Sequence, residues 1–194
     1  MELLAKWLPL QGWFDGGDAP VVPLGSFRFD DPAGQVGVET HVVAAAGRVY
    51  QVPLTYRGAP LEGAAEFLVG TMEHSVLGGR WVYDATADPV YQAELAAALL
   101  AAKPQAVAHR MTDGRAEALP HTAVLASTGR PGAVLPGLHF GVPATSTDIT
   151  RIPAGALTVE VLRVLGAADA LHAPSLTLTW EGQDVPVLIA SLVS

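Results

Sequence analysis

The sequence predicts an α+β protein: an antiparallel β-sheet with one packed helix, followed by a mostly β second half. Three observations carry this. Residues 21–56 hold short alternating runs separated by tight turns, the pattern of a meander. Residues 88–103 carry the start, periodicity and stop of one helix. Beyond Pro104, prolines 120, 131, 136, 143, 153, 174 and 186 punctuate short apolar runs, which suits strands.

Residues 1–8 make two turns of helix, with Leu3, Leu4, Trp7 and Leu8 on one side, ended by Pro9 and Gly12. The stretch 15–20 is rich in turn residues. Residues 21–29 contain Pro23 and Gly25 and read as an edge or bulged strand. Residues 30–34 turn. Residues 36–43 alternate, with Val36, Val38, Thr40 and Val42 on one face and Glu39, His41 and Val43 on the other. Ala46-Gly47 turns the chain into a strand over 49–56. Residues 66–77 and 81–84 are two further strands joined at Gly78-Gly79, although 64–68 also suits a short helix.

The helix is the clearest element. Asp88 caps it, and Pro89 fits the first helical position, where a missing N–H costs nothing. Val90, Tyr91, Leu95, Ala98 and Leu99 recur at helical spacing. Lys103 suits the negative end of the helix dipole and Pro104 stops it. In the second half, strands are expected at 121–127, 157–165, 175–180 and 185–192. Residues 181–184 form a hairpin loop, and 166–171 is a candidate second helix. The organisation expected is two lobes, 1–104 and 105–194, with a soft boundary that one compact domain could also span.

Composition narrows the function. The 194 residues are 50% hydrophobic and 15% charged, which argues for a packed core over disorder. There is no cysteine, so disulfides, thiolate catalysis and zinc–cysteine sites are excluded. Lysine plus arginine number 11 against 19 acidic residues, a net charge of −8. The arginines are scattered singly, so a nucleic-acid interface and adhesion to an anionic membrane are not expected. No apolar run approaches a membrane span, and the first residues lack the pattern of a secretory leader. The location expected is the cytoplasm.

Common catalytic signatures are missing. No two glycines stand at i, i+2, so there is no dinucleotide turn and no kinase glycine loop. There is no phosphate loop, zinc-protease helix or hydrolase elbow. No catalytic, cofactor or metal residue is assigned. One polar set is worth following: Glu39, His41, Glu73 and Asp84 could together form an acid/base or metal site, or merely a solvated sheet face plus a helix cap. Histidines 109, 121, 139 and 172 read as structural or exposed. Trp7, Trp13, Phe14, Trp81 and Tyr83 suit a sugar-stacking platform or, with more support from their apolar neighbours, a hydrophobic core.

Several segments bring a family into view. The opening Leu3-Leu4-Ala5-Lys6-Trp7-Leu8-Pro9-Leu10-Gln11-Gly12-Trp13-Phe14 resembles the start of actinobacterial maltokinases, where W-L-P-x-Q-R-W-[YF] is usual. Tyr50-Gln51-Val52-Pro53-Leu54-Thr55-Tyr56-Arg57, His74-Ser75-Val76-Leu77-Gly78, Trp81-Val82-Tyr83-Asp84-Ala85 and Asp88-Pro89 continue the pattern in order. Gly12 stands where an arginine is usual, and Asp15 where a glycine is common. The first half thus resembles the maltokinase N-terminal cap domain in a stand-alone form. The resemblance implies a cystatin-like sheet with a packed helix. In maltokinases this cap precedes a kinase fold that phosphorylates maltose with ATP and feeds α-glucan synthesis. No position here matches that fold's catalytic or metal-binding motifs, so no catalytic residue carries over.

The leading expectation is a non-catalytic accessory or interaction protein linked to maltose, trehalose or α-glucan metabolism, with no cofactor. Its partner would be a sugar kinase, an α-glucan enzyme or a second copy. One alternative is a binder of a sugar or apolar metabolite held between sheet and helix, near Trp81, Tyr83 and Tyr91. The other is an enzyme using Glu39, His41 or Glu73.

Overall fold

The computed structural model describes residues 1–112, 115–166 and 174–194. It opens with α1 (Glu2–Trp7) and a 3₁₀ turn, Leu8–Leu10. The first sheet holds β1 (Val22–Asp30), β2 (Gly37–Ala45), β3 (Arg48–Arg57), β4 (Leu68–His74) and β5 (Gly78–Asp84) in the order β1-β2-β3-β5-β4. All neighbours are antiparallel. β1 is an edge strand with an irregularity between Pro23 and Gly25, where a missing N–H and a missing side chain are tolerated.

One hairpin differs from expectation. The turn falls at residues 75–77, and Gly78-Gly79 opens β5 instead of forming the loop. His74 explains the shift: its Nδ1 accepts from the backbone N–H of Val76 and of Leu77, both at 3.2 Å, which closes the turn. The ambiguous 64–68 region resolves into a single 3₁₀ turn, Ala65–Phe67.

Helix α2 (Pro89–Ala101) forms as its signals require. The Asp88 side chain accepts from Val90 N–H at 2.9 Å, and Pro89 occupies the first turn. Ala102 ends it in a left-handed conformation, φ 52°. Lys103 pairs with Glu94 of α2. Tyr91, Leu95, Ala98 and Leu99 are buried as their spacing predicts, but so are Gln92, Glu94, Ala96 and Ala97. The helix is enclosed, not half-exposed.

The second sheet holds β8 (Ala123–Ser127), β9 (Ala144–Ser146), β10 (Ile149–Ala154), β11 (Leu157–Leu162), β13 (Ser175–Trp180) and β14 (Gln183–Val193), ordered β8-β13-β14-β11-β10-β9. A separate hairpin pairs β6 (His109–Thr112) with β7 (Arg115–Ala118). Strands β6, β7, β9 and β10 were not foreseen; they are short, and β10 carries Pro153. The expected strand at 157–165 breaks at Arg163. Beyond it β12 (Val164–Leu165) leaves the second sheet and pairs with Val49–Tyr50 of β3. The candidate helix at 166–171 lies, but for Gly166, outside the described residues, as does His172.

Two buried clusters hold the chain together. The larger draws Phe27, Phe29, Val38 and Val42 from the first sheet, Tyr91, Leu95 and Leu99 from α2, and Ile152, Val161, Leu176 and Leu178 from the second sheet. It therefore spans both sides of position 104. Gln51 adds to the joint, its Nε2 donating to the Leu162 and Ile189 carbonyls at 2.9 and 3.0 Å. The smaller cluster lies on the other face of the first sheet. There Leu4, Trp7, Leu8, Trp13 and Phe14 cover Val43, Tyr50, Val52, Leu54 and Val82.

Candidate functional site

Register fixes which side chains share that outer face. Arg28 stands opposite Glu39, and Glu39 opposite Leu54. Tyr56 lies two residues beyond Leu54 and opposite Val82; Arg80 lies two residues before Val82. Leu54 and Val82 belong to the cluster under the N-terminal segment. The face is thus divided. Its apolar part is covered by α1 and the following turn, while its polar part stays open.

The open part is a groove of about 540 Å³ whose lining includes Arg28, Glu39, Tyr56, Met72, His74 and Arg80. A second hollow of about 400 Å³ beside α1 shares Tyr56 and Met72 with it and reaches His41. At the seam the Tyr56 hydroxyl and His41 Nε2 hydrogen-bond at 3.1 Å, and Glu39 Oε2 lies 3.9 Å from the same nitrogen. Burial pushes His41 below its ordinary value, against the Glu39 carboxylate that favours the charged ring. Burial first, and Glu39 second, push the Tyr56 phenol upward. At neutral pH the pair is an uncharged imidazole and phenol. It is equipped to hold hydrogen bonds more than to generate a nucleophile.

The four residues considered for acid/base work do not converge. Glu39 and His41 are together, as alternation predicts. Glu73 projects from the opposite face: it lies two residues beyond Thr71, which pairs with Trp81, which in turn pairs with Arg57. It lines a small hollow with Trp81. Asp84 stands opposite Leu54 but is closed in: Oδ1 accepts from Thr86 N–H and hydroxyl, and Oδ2 from Arg163 at 2.6 Å. Among the described residues no group of three His, Cys, Asp or Glu is placed to hold a metal.

The aromatics divide too. Trp7, Trp13, Phe14 and Tyr83 are buried, and Tyr91 sits inside the larger cluster, so the space between sheet and helix is filled at that ring. His121 hydrogen-bonds Gln105 at 2.9 Å, while His109 and His139 are exposed. Sequence reasoning passed over Arg28, Tyr56, Arg80 and Arg163. Arg163 did leave a signal, a lone arginine inside the apolar run 157–165. The other three become visible only through strand register.

The sheet's two edges differ. The edge of β1 is covered: Ala106 N–H donates to the Arg28 carbonyl at 2.8 Å, and Ser26 exchanges hydrogen bonds with the Thr122 hydroxyl. The outer edge of β4 pairs with no strand among the described residues. Leu68 and Met72 are exposed along it, and at the hairpin tip Val76 is 83% exposed and Leu77 58%. No helix among the described residues is long and apolar enough to cross a membrane.

Comparison with known families gives a match to part of the chain. Residues 7–88 fit the family model of the maltokinase N-terminal cap domain. That stretch runs from the end of α1 to the cap of α2 and contains the whole β1–β5 meander with its β4 edge. No curated protein matches the chain.

Proposed function

We propose, from the premise that residues 7–88 are a maltokinase N-terminal cap domain, that the chain is a non-catalytic accessory protein acting by association through this cap. Its partner is a sugar kinase or another α-glucan enzyme, or a second copy of itself. Its setting is cytoplasmic maltose, trehalose or α-glucan metabolism. The observation that carries the reading is the open β4 edge with its exposed apolar tip. Unpaired strand edges template pairing with another chain, and soluble proteins normally blunt them. The edge of β1, covered by residues 106 and 122, shows that blunting on the other side of the same sheet. The dispersal of Glu39, Glu73 and Asp84 supports a non-catalytic role.

The test is a tagged pull-down from the source organism's lysate, read by mass spectrometry, with a Val76→Asp/Leu77→Asp variant as control. Both side chains are exposed, so the variant keeps its fold. Recovery of a sugar kinase or α-glucan enzyme with the wild type, lost with the variant, is the expected result. For the self-association arm, light scattering shows a dimer that the variant dissociates. Recovery of the bait alone, with a monomer in solution, overturns the reading.

A further inference from the structure

We infer that the groove between Arg28 and Arg80, on the outer face of the first sheet, binds a small hydroxylated organic anion. The class is a sugar phosphate or hydroxycarboxylate. The groove borders β4, with Met72, His74 and the tip residue Leu77 in its lining, and the inference does not rest on the accessory role. Its volume of about 540 Å³ suits a metabolite.

The polar groups define what fits. Arg28 and Arg80 pair with no carboxylate among the described residues. Arg80 makes one long hydrogen bond, to the Gly79 carbonyl at 3.4 Å. Two guanidiniums lining one groove offer planar forks suited to a phosphate or carboxylate. His74 adds a donor: its Nδ1 accepts from Val76 and Leu77, so the neutral ring carries its proton on Nε2.

The carboxylates in the lining set the other half of the specificity. Asp31 is occupied by the turn it closes, accepting from the N–H groups of Ala33, Gln35 and Val36 at 2.8–2.9 Å. Asp30 and Glu39 keep acceptor capacity, which matches ligand hydroxyls and repels a polyanion. Tyr56 can add a further hydrogen bond, and Met72 offers an apolar surface for a carbon skeleton. A bare anion satisfies only the arginines, and a neutral sugar leaves them unmatched.

Titration calorimetry on the full chain tests this with glucose 6-phosphate, gluconate, inorganic phosphate and glucose as probes. Glucose 6-phosphate or gluconate is expected to bind with a Kd of about 1 mM or tighter, and at least about tenfold tighter than inorganic phosphate or glucose. Which of the two binds separates phosphate from carboxylate recognition. The Arg28→Ala/Arg80→Ala variant weakens binding at least about tenfold with an unchanged melting temperature. Val185→Asp, at an exposed position of β14 outside the lining, leaves it intact. No binding by either probe, equal binding of inorganic phosphate or glucose, or binding that the double arginine variant retains each overturns the inference.

Discussion

Arg163 Nη2 donates to Asp84 Oδ2 at 2.6 Å, joining residues 79 positions apart inside the protein. Arg163 has no accessible surface. Its Nε donates to the Thr150 hydroxyl at 2.7 Å, Nη2 also reaches Thr86, and its Cζ lies 5.0 Å from the centre of the Trp13 ring. Its backbone accepts from Gln51 N–H, just before the chain crosses from the second sheet to β3. One side chain therefore binds β5, β10 and the N-terminal segment together.

Removing one member of such a pair strands the other charge without water. Asp84→Asn is expected to destabilise the fold by about 3 to 5 kcal/mol. An Asp84→Leu/Arg163→Met double variant recovers much of that loss, because no buried charge is left over. Urea unfolding of the three proteins measures it. Asp84→Asn unfolding at the wild-type midpoint refutes the buried pair.

Asp88 does two things at once. It caps α2 through Val90 N–H and takes both Arg57 Nε and Nη2, at 2.6 and 2.7 Å. Asp88→Asn keeps an acceptor for the cap and loses the ion pair, whereas Asp88→Ala loses both. The alanine variant is expected to be less stable than the asparagine variant by about 1 kcal/mol, the usual worth of a cap. Thermal unfolding of the two side by side decides it.

His41 makes stability depend on pH. Burial is the main reason its folded pKa lies below the ordinary value of 6.5. Between the two pKa values the unfolded chain holds more protons, so stability rises with pH there. It is complete above about 6.5 and is lost as pH falls toward the folded pKa. His41→Gln flattens this slope in denaturant midpoints measured from pH 7.5 downward. An unchanged slope shows that His41 is not its source.

A glycine marks a close approach to α2. A Cβ at Gly129 would stand 2.3 Å from the Leu99 carbonyl oxygen and 2.9 Å from Ala102 N, both backbone atoms that cannot swing aside. Gly129→Ala is expected to cost about 1 to 3 kcal/mol by overpacking. Gly137, with nothing within 4 Å of such a Cβ, accepts alanine with little change. Equal midpoints for the two variants in chemical denaturation contradict that difference.

What the sequence determined is local. Asp88 and Pro89 specify the start of α2, alternation over 36–43 puts Glu39 and His41 on one side, and Pro23 with Gly25 marks β1 as an edge. These signals act within a few residues and need no partner. The turn at 75–77 was missed because a histidine side chain, not the glycine pair beside it, satisfies its N–H groups. Tertiary structure alone decided the order β3-β5-β4, the departure of Val164–Leu165 to the first sheet, and which face the N-terminal segment covers. It also brought Arg28, Tyr56 and Arg80 around one groove. Those placements depend on register between strands distant in sequence, and a shift of one residue would turn each side chain to the other face.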